Sequence, residues 1–119
     1  MLYAQVHQTL PAWVHDAIDA AADYGDDDAK MALAIRLSAL NVEHASGGPF
    51  GAALFSPESR LIGVGVNRVV PHSTSIAHAE MMAFATSQQR VQQFRLNAER
   101  GPITLATSSQ PCCMCYGAS

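Results

Sequence analysis

Apolar positions recur along this chain with two periods, and each change of period marks a new element. After Pro11, the residues Trp13, Val14, Ala17, Ile18 and Ala21 fall on one face at helical spacing, which predicts an amphipathic helix closed by Gly25. Carboxylates at positions 26–28 can cap a second helix, whose apolar side holds Leu33, Leu37 and Leu40 and which stops at Ser46-Gly47-Gly48. The runs PFGAALF (49–55) and RLIGVGV (60–66) are short, apolar and rich in strand formers. The turn sequence SPES between them predicts a hairpin. A polar loop, PHSTS (71–75), leads to a helix over residues 77 to about 90, continuing toward 95, in which Met81, Met82 and Phe84 read as core. Gly101-Pro102 ends that pattern, ITLAT (103–107) is a third strand, and Pro111 suits the start of a last helix near Cys112. The order α-α-β-β-α-β-α predicts an α/β fold, a sheet covered by helices.

Composition narrows the class. The chain has 119 residues, 49% hydrophobic and 14% charged, enough for one globular domain. No apolar run approaches the roughly 20 residues that span a bilayer, and the start lacks the features of a secretion signal, so a cytoplasmic protein is expected. Net charge is −3, split as −5 over residues 1–30 (six Asp, one Lys) and +2 over residues 31–119 (six Arg, four Glu). Neither part is a basic stripe suited to a phosphate backbone, so a small neutral substrate fits better than a nucleic acid.

All three cysteines, Cys112, Cys113 and Cys115, lie in the last eight positions. Cys112 and Cys115 form a Cys-x-x-Cys pair at an expected helix N-terminus, where residues three apart share a face and thiolates are favoured. Alone, such a pair suits half of a structural zinc site, a redox dithiol or a core accident. The segment AHAE (77–80) adds His78 and Glu80 at another helix start. One His and two Cys leave a tetrahedral ion one open position, the arrangement of a catalytic zinc rather than a structural one. His-x-Glu followed by Pro-Cys-x-x-Cys is the established signature of zinc deaminases. Cys113, between the two ligands, reads as a small buried residue. His7, His15, His44 and His72 read as surface or capping residues.

With GGPFGAALF, NRVVPHSTSIAHAE and TSSQPCCMCYGA together, residues 30–119 resemble the cytidine deaminase-like superfamily, and within it the bacterial guanine deaminases. The resemblance implies a three-layer α-β-α fold, with residues 1–25 a helical extension and 26–119 the deaminase domain. It also implies zinc on His78, Cys112 and Cys115, and Glu80 as the proton carrier between water, ring nitrogen and departing ammonia. Asn67 and the Ala79 backbone would contact the base, with Phe50 near the ring, although strand packing suits Phe50 and a strand end suits Asn67 equally. Guanine would give xanthine, and the complete protein would be a homodimer. Two departures stand out. Gln110 replaces the usual Glu before Pro-Cys. The strands and helices that follow in the family are absent, which implies a partial domain with an open edge at its third strand, weakly stable or self-associating. The competing readings are a cytosine, nucleoside or tRNA adenosine deaminase, a non-catalytic zinc-binding fragment, and a redox dithiol protein.

Overall fold

The computed structural model describes all 119 residues apart from the Glu99 side chain. Its elements run α1 (Trp13–Ala17), α2 (Asp27–Glu43), β1 (Gly51–Phe55), β2 (Leu61–Val66), α3 (Val69–His72), α4 (Ala79–Val91), α5 (Leu96–Arg100), β3 (Thr104–Thr107) and α6 (Cys113–Ala118). α2 starts where the acidic run caps it: the Asp26 carboxylate accepts from the Ala29 N–H at 2.7 Å. It ends as Ala45, at φ 52°, turns the chain out of the helical path.

The sheet order is β2-β1-β3, with both neighbours antiparallel to β1. The hairpin closes through Ser56 and Arg60, whose backbone groups bond at 2.9 Å, and a bulge separates Leu54 from Phe55. Every residue of β1 is buried, because the sheet is covered on both faces. On one face Leu33, Ala34 and Leu37 of α2 pack with Ala53, Phe55, Val64 and Val66. On the other, Ala79 and Ala83 of α4 pack with Ala52, Leu54 and Ile62. This is the three-layer arrangement expected from the sequence. β3 is paired on one side only among the described residues. Beside it Leu54, Phe84, Leu96, Ile103 and Leu105 line a groove of about 520 Å³.

α4 lies very close to β2. A Cβ on Gly65 would collide with the Ala79 carbonyl and the Ala83 amide. A Cβ on Gly63 would meet Ser87, whose hydroxyl is buried without a hydrogen-bond partner.

Three local expectations are corrected. The first helix does not reach Gly25: Ile18, at φ −113° and ψ 128°, is already extended, and Asp23 instead bridges to Arg60 beside the hairpin. The loop after β2 contains the single turn of α3. The helix carrying Met82 stops at Val91 because Gln92 adopts a left-handed conformation (φ 59°), so α5 is a separate element. Met82 is buried, and Phe84 packs partly buried against the α4-side core.

Candidate active site

Two helix starts face each other above the end of β3. His78 is the N-cap of α4, and Cys112 is the N-cap of α6, with Cys115 one turn further on. The Cys112 and Cys115 sulfurs lie 3.7 Å apart, and they lie 3.5 Å and 3.6 Å from His78 Nδ1. A tetrahedral zinc ion with ordinary bond lengths would set its sulfurs about 3.8 Å apart and each about 3.6 Å from the nitrogen. The three donors therefore already have the spacing of one coordination shell, and they form a group that could hold a metal.

The thiols respond differently to their surroundings. The Cys112 thiol is held below its usual range, chiefly by the Cys115 backbone N–H, and Cys112 is exposed. Burial pushes the Cys115 thiol up, and the neighbouring Glu80 and Cys112 add to the rise. A divalent cation bound between them would override this difference, since a coordinating thiol is deprotonated outright. Cys113 does not follow expectation. It is exposed, because it opens α6 on a side that none of the described residues covers.

Glu80 is buried, and its Oε1 accepts from the Thr107 hydroxyl at 3.1 Å. It faces a cavity of about 300 Å³ lined by Phe50, Asn67, His78, Ala79, Glu80, Ser109, Gln110 and Cys112. His78, Glu80, Cys112, Asn67, Ala79 and Phe50 thus line one cavity, and Cys115 is buried beside Cys112. Phe50 is not a core residue: it is 38% exposed and sits at the cavity wall. Asn67 Oδ1 accepts from the Val69 N–H at 3.2 Å and from the Gly48 N–H at 3.4 Å. Ala79 occupies the first helical position, where an N–H has no acceptor within its own helix. Two contributors were not visible in the sequence. Thr107 ends a strand directly before the cysteine loop, and that placement is its only sequence signal. Ser109 lies in the TSSQPCCMCYGA segment, but nothing in its residue type marks a role. The other histidines stay outside: His44 stacks on Trp13 with ring centroids 5.2 Å apart, and His72 contacts Thr9.

A family model for the cytidine and deoxycytidylate deaminase zinc-binding region matches residues 25–119. The chain belongs to this family. Among solved structures, the guanine deaminase from Nitrosomonas europaea superposes with a TM-score of 0.87 at 35% identity, covering 99% of this chain and 65% of that one. A second chain, solved in complex with 2,6-diaminopurine, gives 0.85 at 38% identity, over 94% of this chain and 60% of that one. A curated relative, the tRNA-specific adenosine deaminase of Haemophilus influenzae, is 33% identical over 101 residues, 85% of this chain and 56% of its own length. This member of the deaminase family therefore spans less than two thirds of the proteins it resembles. No helix among its described residues is long and apolar enough to cross a membrane.

Proposed function

We propose that residues 26–119 form the deaminase domain of a zinc-dependent hydrolase acting on a free purine base, with residues 1–25 as an extension packed on it. Guanine is the first candidate, converted with water to xanthine and ammonia. The observation that carries this reading is the 300 Å³ cavity in which Glu80 meets the three-donor cluster on one side and Asn67 and Phe50 on the other. The likeness to guanine deaminases and to a diaminopurine complex supports a purine.

His78, Cys112 and Cys115 would hold zinc, which when bound supplies the Lewis acidity that makes water nucleophilic near neutral pH. Glu80 is left free of the donor cluster to move protons. It takes one proton from water and passes it to the ring nitrogen beside the amino-bearing carbon, then carries the remaining proton of the added hydroxyl to the amino group, which departs as ammonia while the carbonyl forms. Thr107 holds one carboxylate oxygen still, which leaves the other for this work. Phe50 would pack on the base, and Asn67 and the Ala79 N–H would fix its edge. Free thiol ligands fit a cytoplasmic setting, and the complete protein would act as a homodimer. A second reading, adenosine deamination in tRNA, is favoured by curated relatives of that name. The net charge of −3 supports the free base instead.

Ammonia release from guanine, adenine, cytosine, cytidine and tRNA tests this. Release from guanine is expected, and Glu80→Gln should keep its zinc while losing roughly 10²- to 10⁴-fold in rate. Activity confined to tRNA refutes the free-base reading. Bound zinc with no release from any substrate supports a non-catalytic module.

A further inference from the structure

Asn41 is a fully buried polar residue on α2, and the site chemistry makes no use of it. Its Nδ2 donates to the Gly48 carbonyl at 2.8 Å and to the Asn67 carbonyl at 2.9 Å. Its Oδ1 accepts from the Ser46 hydroxyl at 2.7 Å, and that hydroxyl accepts from Trp13 Nε1 at 2.9 Å. Gly47 is pressed into the same junction: a Cβ there would meet the Asn67 carbonyl and, at 2.7 Å, Asn41 Nδ2. Arg68 closes a second path, donating to the Ser46 carbonyl at 2.6 Å and the Thr9 carbonyl at 3.1 Å. His72 Nε2 lies 2.9 Å from that same Thr9 oxygen.

The two bonds that Asn41 Nδ2 donates end on the backbone that carries Asn67 and Phe50. Asn67 also donates its N–H to the Phe50 carbonyl at 3.2 Å. With Oδ1 committed to Gly48 and Val69, the Nδ2 donors are what the Asn67 amide has left to offer a ligand in the cavity it lines. Trp13 and Thr9 lie outside residues 25–119, the span of the family match.

We propose that Trp13 and Ser46, acting through Asn41, are positioning residues for base recognition, so that the segment preceding the family region sets the geometry of the base pocket. This rests on the purine reading above. A buried network holds its members more firmly than separate bonds do, and loss of one link loosens the Asn67 frame. The metal donors are carried by α4 and α6, and none of the Trp13, Ser46 and Asn41 side-chain bonds reaches them.

Trp13→Phe keeps an aromatic ring for His44 but removes the donor together with some packing volume, and Ser46→Ala removes the link with little change in packing. Zinc-loaded wild type and both variants would be titrated with 2,6-diaminopurine by calorimetry, with zinc content and amide exchange read on the same samples. The expected result is a Kd weakened roughly three- to tenfold, the loss of about one net hydrogen bond. Zinc content and kcat should hold, and the amides of Gly48, Phe50 and Asn67 should exchange faster. Unchanged Kd and exchange overturn the proposal. So does an equal fall in zinc content, which would mark a merely structural role. Wild-type protein that binds no purine overturns the reading of the pocket itself, and with it the affinity effect.

Discussion

Gly65→Ala should empty the metal centre without touching it. In β2 this position faces the first turn of α4, where the added Cβ would press on the Ala79 carbonyl and the Ala83 amide and lie 3.0 Å from Met82 Cβ. Ordinary contact begins near 3.4 Å, so the helix must lift by roughly 1 Å, since side-chain rotation cannot relieve a clash with backbone. The same turn begins at His78, whose Nδ1 sits 3.5 Å and 3.6 Å from the two sulfurs. Metal sites tolerate only about ±0.2 Å in their bond lengths, so a lift of that size breaks the shell. The overpacking itself should destabilise the fold by about 1–3 kcal/mol. The opposing gain from restricting the unfolded chain is about 0.4–1 kcal/mol, so the clash wins. Gly117→Ala is the control, because nothing lies within 4 Å of its added carbon. Zinc per chain by elemental analysis and thermal unfolding of the two variants decide the matter. A Gly65→Ala protein with wild-type zinc and wild-type melting would refute the close-approach argument.

Three further outcomes are expected. Ser87→Ala should stabilise the protein by about 1 kcal/mol, because it removes a buried hydroxyl with no partner, and urea unfolding checks this. Thr107→Val frees Glu80 Oε1 and should lower kcat roughly three- to tenfold with zinc content and KM little changed, as steady-state kinetics would show. Tyr24, packed on Phe55 and partly buried beside Asp19, has its phenol pushed above its usual value, first by burial and then by that carboxylate. A raised pKa means the folded state keeps the proton longer. Stability is therefore full below the ordinary phenol range and falls as pH rises through it, and Tyr24→Phe should flatten that alkaline slope in chemical denaturation.

Local patterns were most legible where one residue's chemistry forces a structure. The Asp26 cap, the hairpin turn and the His78–Glu80 and Cys112–Cys115 spacings all acted through neighbours in sequence, and the structure places them where those rules put them. The helical stripe after Pro11 misled because Ile18 and Tyr24 find apolar partners against the α2-side core without a helix to carry them. The break at Gln92 depends on one left-handed residue that carries no glycine signal. Cys113 looked buried because small thiols usually are, yet burial needs a covering element, and among the described residues none lies over it. The roles of Thr107, Asn41 and Ser46 were not legible, since each acts through partners between 5 and 33 positions away.

The buried side of α6 consists of Cys115 alone. A helix so lightly packed has little of its own to hold it on the body, and its attachment runs through the same sulfurs that reach across to His78, 34 and 37 positions back along the chain. A bound ion would thus fasten a clasp over the loop that contains α5 and β3, and the entropy of closing that loop would be set against metal affinity. Chelation should then do more than stop chemistry. It would release the clasp, and the residues after Gln110 would become the first part of the molecule open to a protease.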